Sequence, residues 1–230
     1  MDLKRNIEFV LSRIKAAAVK SGRKPADIQL LAVSKTMPSD LIAQAASLGL
    51  TLFGESRVEE AEPKVLQFPK LQWHLVGHLQ RRKVKKALPL FQLIHSVDSL
   101  KLIEKIDQEA QNQGIGHVDI LLELNISGEI SKYGFSETSF WKVLPLLEKY
   151  RYVRVKGLMT MAPLCDEPEK SRPIFRRLRE MQEKVAGLGI KKVEMGILSM
   201  GMSHDFEVAV EEGATMVRVG SRLFKGADSK

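Results

Sequence analysis

Leu30-Leu31-Ala32-Val33-Ser34-Lys35-Thr36-Met37-Pro38-Ser39 is the stretch on which the reading of this chain turns. An apolar run stops at a serine and a lysine, and a Pro-Ser pair then opens a helical pattern. Strands covered on both faces read as near-continuous hydrophobic runs. The run therefore predicts a buried parallel strand with Lys35 fired off its C-terminal end. A desolvated ammonium loses its charge or finds a partner, and a lysine with a lowered pKa is a nucleophile toward carbonyls. Two readings stand at this point: Lys35 caps the strand and snorkels to water, or it is the reactive group of a site.

Outward from this unit the same alternation repeats. Apolar runs predict strands over 28–34, 51–53, 72–76, 93–97, 118–125, 153–159, 193–199 and 215–219. Helical periodicity falls between them, over 41–48, 58–66, 100–111, 140–150, 173–188 and 206–212. Gly49, Gly114, Gly187 and Gly213 close several of these helices, a common C-terminal signal. Strand–helix alternation argues for βαβ units and a parallel sheet. Eight strands, an extra N-terminal helix and no Gly/Pro/Ser-rich linker predict a (β/α)8 TIM barrel formed as one domain by residues 1–230. An open doubly wound sheet is the alternative, disfavoured because no GxGxxG follows the first strand.

Composition narrows the function classes. The 230 residues are 44% hydrophobic and 28% charged, as in ordinary globular domains. One cysteine, Cys165, excludes a disulfide framework and a CxxC metal pair. The charged N-terminal helix lacks the apolar core of a signal peptide and no run is long enough to cross a bilayer, which makes a cytoplasmic location the expectation. The net charge of +8 and the run Arg81-Arg82-Lys83-Val84-Lys85-Lys86 raise a nucleic-acid reading. Without interleaved aromatics or a known binding module, a solvated helix face is the preferred account of that run.

In a barrel, chemistry gathers at the strand C-termini. There the chain places Ser34-Lys35, Gly54-Glu55-Ser56, Glu123-Leu124-Asn125, Ser199-Met200-Gly201-Met202-Ser203 and Arg218-Val219-Gly220-Ser221. Glu123 and Asn125 share parity and are both expected to face the interior. Gly201-Met202-Ser203 and Gly220-Ser221 suit an oxyanion, because glycine allows close backbone approach and helix N-terminal amides donate. Serine adds a hydroxyl and also serves as N-cap. A nucleophilic lysine on strand one and a phosphate cradle on strands seven and eight call for a ligand with both an aldehyde and a phosphate. Pyridoxal 5′-phosphate (PLP) is such a ligand. Arg218 then either donates to the pyridine nitrogen, keeping it unprotonated, or pairs with Glu123 or another acid.

Ala32-Val33-Ser34-Lys35-Thr36, Phe53-Gly54-Glu55, Trp73-His74-Leu75-Val76-Gly77, Gly157-Leu158-Met159, Leu198-Ser199-Met200-Gly201-Met202-Ser203 and Met216-Val217-Arg218-Val219-Gly220 together resemble the pyridoxal phosphate homeostasis proteins, which are related to the N-terminal barrel of alanine racemase. The match runs in order through nearly the whole chain. It implies a fold-type III PLP barrel with Lys35 as the Schiff-base lysine, Arg218 facing the pyridine nitrogen, and Ser199, Met202, Ser203, Gly220 and Ser221 on the phosphate side. It also implies a cofactor-transfer role for Lys132. Two segments depart from the family pattern: Gly54-Glu55-Ser56 stands for Gly-Glu-Asn, and Leu79-Gln80-Arg81-Arg82-Lys83 for Leu-Gln-Ser-Asn-Lys. His74 either contacts the cofactor or is a hydrogen-bonded barrel histidine.

The resemblance implies that a racemase draws its second base, a tyrosine, from a separate β-domain. Of Tyr133, Tyr150 and Tyr152, only Tyr133 is expected near the rim. One base is poorly equipped for two-sided proton transfer. The expected function is a monomeric PLP holder in vitamin B6 homeostasis that supplies PLP-dependent apo-enzymes. The alternative is a narrow PLP-dependent racemase or lyase.

Overall fold

The computed structural model describes residues 2–129 and 132–226. The chain begins with α1 (Leu3–Lys20), capped by the Asp2 carboxylate, which accepts from the Arg5 amide at 3.2 Å. Leu3, Ile7, Val10, Ile14, Ala17 and Ala18 recur at helical spacing and are the residues α1 buries, with α8 and α9 as its main neighbours. The first half then runs β1 (Gln29–Val33), α2 (Ser39–Ser47), β2 (Leu52–Glu55), α3 (Val58–Gln67), β3 (Gln72–Leu75), α4 (Val84–Ala87), β4 (Leu93–Val97) and α5 (Leu100–Asn112). The second half runs β5 (Val118–Glu123), α6 (Glu137–Val143), β6 (Val153–Met159), α7 (Arg172–Ala186), β7 (Val193–Ser199), α8 (Phe206–Glu211), β8 (Met216–Val219) and α9 (Ser221–Phe224).

The strands close into a parallel barrel in sequence order, β1 joining both β2 (Ala32↔Phe53) and β8 (Leu31↔Arg218). The expected barrel and its extra N-terminal helix are thus present. A continuous apolar layer containing Ala32, Phe53, Trp73, Ile94, Leu122 and Leu158 packs the strands under the helices. Smaller clusters, Leu31–Leu52–Val76–Met216 and Leu93–Leu121–Met159, have the opposite strand parity and fill the barrel interior. At Gly157 the β6–β7 register shifts, and a Cβ there would lie 1.8 Å from the Ile197 carbonyl oxygen. Only glycine permits this approach.

Several expected boundaries move for identifiable reasons. The helix expected over 140–150 is split into α6 and a 3-10 turn, Leu144–Lys149. Pro145 has no N–H to continue the α ladder. The basic run is a 3-10 turn, Arg81–Lys83, followed by α4 rather than one helix. Gly187 keeps φ −72, and the left-handed reversal comes at Gly189, φ 62. Among the described residues, no helix is long and apolar enough to cross a membrane.

Candidate functional site

β1 ends at Val33. Ser34 is fully buried, and its carbonyl accepts the Met37 amide at 3.0 Å, so residues 34–37 form a tight turn. Lys35 lies inside that turn and is exposed. The expectation of a lysine buried at the strand end is therefore corrected: the turn lifts Lys35 above the apolar layer. The lysine buried at this point is Lys64 of α3, held by Glu55 and the Ser34 carbonyl.

Below the rim, the barrel interior carries a chain of polar side chains. The Arg218 guanidinium donates from NH1 to Ser199 Oγ (2.7 Å) and from NH2 to the Thr160 carbonyl (2.9 Å). Ser199 Oγ lies 3.0 Å from His95 Nδ1, and His95 Nε2 lies 3.0 Å from His74 Nδ1. Arginine offers no lone pair. One assignment satisfies every group: Ser199 accepts from Arg218 and donates to His95 Nδ1, and His95 donates from Nε2 to His74. Both imidazoles are then neutral, consistent with burial, which lowers His74 to about 4 and His95 well below its ordinary value. Burial also draws Arg218 down to about 10, leaving it charged at neutral pH. His74 is thus a hydrogen-bonded barrel histidine.

Glu123 is 3% exposed at the end of β5. Burial, reinforced by the Asp98 charge, pushes its carboxyl up to about 7, against an opposing pull from Arg218. That coupling acts at a distance: Arg218 takes its hydrogen bonds from Ser199 and Thr160 instead. Asn125 does not join Glu123 in the interior. The strand has ended, and its side chain ties the following loop, donating to the Glu129 carbonyl (2.8 Å) and accepting the Gly128 amide (3.0 Å).

The two glycine-serine segments do meet. The Gly220 amide donates to Ser203 Oγ at 3.2 Å, and the Arg218 amide to the Gly201 carbonyl at 3.0 Å. A Cβ on Gly220 would stand 3.0 Å from the Val33 carbonyl oxygen, so this backbone lies against the end of β1. The Met202 amide bonds Asp205 Oδ1 at 2.7 Å, and Ser221 opens α9. Ser199 is set apart from this group, since its hydroxyl belongs to the Arg218–His95 chain.

At the mouth, Tyr133 stacks on His78 at 3.7 Å, and His78 Nδ1 lies 3.1 Å from Asp98 Oδ2. Lys132 pairs with Glu129 at 2.6 Å. In the basic run Lys83 bonds Glu59 (2.8 Å), while Arg81, Arg82, Lys85 and Lys86 are exposed. Cys165 is a free, half-buried thiol. Lys64, His95 and Asp205 are site-lining groups that the sequence reading did not single out. Two left a trace: Lys64 shares helical spacing with buried Val58 and Ala61, and His95 shares strand parity with Leu93.

A closed parallel barrel with a lysine turn after its first strand and an arginine inside its eighth is of the racemase-barrel class. A family model described as "Alanine racemase, N-terminal domain" accordingly matches residues 10–228. The chain belongs to the pyridoxal phosphate homeostasis protein family within that class: it is 41% identical to the member from Aquifex aeolicus over 217 residues, 94% of each chain. PipY from Synechococcus elongatus PCC7942, solved with PLP bound, superposes with a TM-score of 0.82 at 34% identity, covering 97% of this chain and 100% of PipY. Alanine racemase from Corynebacterium glutamicum shares the fold at TM-score 0.71 and 15% identity, matched over 94% of this chain and 60% of the racemase.

Proposed function

We propose that this chain holds PLP reversibly on Lys35 and acts in intracellular PLP homeostasis, releasing the cofactor to PLP-dependent apo-enzymes. The observation that carries the reading is the meeting of three features on the adjacent strands β7, β8 and β1. These are the Ser203–Gly220 backbone contact, the interior guanidinium of Arg218 and the Lys35 turn. PLP supplies an aldehyde; a lysine amine condenses with it, forming C=N as the carbonyl oxygen leaves as water. The residues present fit such a group. Met202, Ser203, Gly220 and Ser221 would bind its phosphate, and Arg218, which only donates and cannot accept a ring N–H, would favour an unprotonated ring nitrogen. Ser199 would act indirectly, by orienting Arg218.

The exposure of Lys35 supports holding over turnover, because an amine open to water exchanges its aldehyde readily. Two-sided proton transfer needs a base on each face, and Tyr133 is stacked on His78 instead. Lys132 at the mouth would assist transfer. The proposed setting is the cytoplasm, with the protein acting as a monomer.

Purified protein should absorb in the visible range, and borohydride should fix the cofactor to Lys35. Lys35→Ala should be colourless. Wild-type protein that takes up no added PLP would overturn the proposal, and sustained racemisation across an amino-acid panel would replace it with the enzymatic alternative.

A further inference from the structure

Lys64 reaches from α3 beneath the Lys35 turn, with only 11% of its side chain exposed. Its ammonium donates to the Ser34 carbonyl (2.9 Å) and to Glu55 Oε1 (2.8 Å). The Ser34 hydroxyl donates to the same Oε1 at 2.6 Å, and the Ser34 amide to the Gly54 carbonyl at 2.9 Å. Glu55 is fully buried, and its second oxygen, Oε2, has no hydrogen-bond partner. All three polar groups of Ser34 are therefore fixed, and its carbonyl is shared between Lys64 and the Met37 amide that closes the turn.

The turn itself is costly. Thr36, directly after Lys35, sits at φ 63, a region unfavourable for a β-branched residue. Such strain persists only where surrounding structure over-determines it. Stability alone does not explain the ion pair, since a buried pair is often replaceable by apolar side chains without loss. What distinguishes this pair is the atom it grips, the carbonyl of the residue before Lys35.

We infer that Lys64 is a positioning residue: through Glu55 and the Ser34 carbonyl it sets the direction in which Lys35 leaves β1, and hence the rate at which Lys35 captures PLP. The inference rests on the reading of Lys35 given above. It assigns Lys64 no contact with the cofactor.

The test is the rate of borohydride-trapped PLP on Lys35 across pH, measured by peptide mapping on the full chain, beside the thermal midpoint of PLP-free protein. Lys64→Met alone strands the Glu55 carboxylate, so the informative variant is Lys64→Met with Glu55→Gln. Capture should slow by about tenfold or more and its pH profile should shift, while the PLP-free midpoint stays within a few degrees. Lys64→Arg, which keeps charge and donors, should recover part of the rate. Wild-type rate and pH profile in the double variant would overturn the role of Lys64 alone; absent capture in wild-type protein would overturn the reading of Lys35 as well. Should the double variant not fold, Ser34→Ala decides: capture slowed severalfold supports the cluster, and an unchanged rate refutes it.

Discussion

Replacing Glu123 with glutamine keeps the shape of the side chain and removes its ability to ionise. In the folded protein burial holds the carboxyl near 7, against an ordinary value of 4.5. Between those values the unfolded chain has released the proton that the folded protein retains, so stability falls as pH rises through the window. The contribution is fully present below 4.5 and is lost once pH passes 7. A shift from 4.5 to about 7, at 1.36 kcal/mol per unit, makes the loss about 3 kcal/mol. His74 and His95 act with the opposite sign, because their folded pKa values are depressed: their contribution is present above 6.5 and is lost as pH falls below it, toward about 4 for His74. The histidines are common to both proteins and cancel in the difference. Urea unfolding of PLP-free wild-type and Glu123→Gln protein from pH 4.5 to 8.5 should therefore show equal stability at the acid end. The variant should be ahead by about 3 kcal/mol at the basic end. A flat difference would refute the burial argument. A variant less stable at high pH would mean that attraction to Arg218 outweighs desolvation.

Gly157→Ala drives a methyl into the Ile197 carbonyl, backbone against backbone, and should cost about 3 kcal/mol or more in chemical denaturation. Ser199→Ala removes the acceptor for Arg218 NH1 and the partner of His95 Nδ1. It should cost about 1–3 kcal/mol and move the absorption maximum of bound PLP, checked by melting and visible spectra. Arg81→Ala with Lys85→Ala alters exposed cations that hold no carboxylate partner among the described residues. Stability should stay within about 0.5 kcal/mol, and retention on immobilised nucleic acid at low salt should be unchanged.

The barrel was legible because its strands are largely buried, β2, β4 and β8 along their whole length. The runs at 93–97, 153–159 and 193–199 matched β4, β6 and β7 end for end; the first is buried throughout, and in the other two polar residues alternate with apolar ones at strand period. Ser203 and Gly220 could be paired from their positions at the ends of neighbouring strands. Parity failed at Asn125, because alternation carries information only while the chain remains a strand. It failed differently at Lys35: an apolar run predicts where a strand is buried and says nothing of the turn that follows. Lys64 was hidden by its type, since a lysine among charged helix residues reads as solvent-facing until the carboxylate beneath it is placed.

Moving the buried lysine from position 35 to position 64 changes what the rim can do. A deeply buried, desolvated nucleophile suits an enzyme that excludes water and commits its substrate. An exposed lysine on a turn held from below keeps a fixed direction and stays open to incoming aldehydes, amines and water. On the proposed reading, PLP captured there would stay open to exchange from both sides, which is what loading and unloading require. The interior contributes rigidity: two neutral imidazoles and a serine hold Arg218 in place. The group poised to titrate near neutrality, Glu123, lies within the electrostatic reach of that arginine. Above pH 7 it adds a negative charge near the guanidinium and weakens the positive field there. Grip on an anionic cofactor should then relax more as pH rises through 7 in wild-type protein than in Glu123→Gln, the excess being the part due to Glu123. PLP dissociation followed by absorbance at pH 6 and 8 measures this directly, and equal pH dependence in the two proteins would break the link between Glu123 and the cofactor.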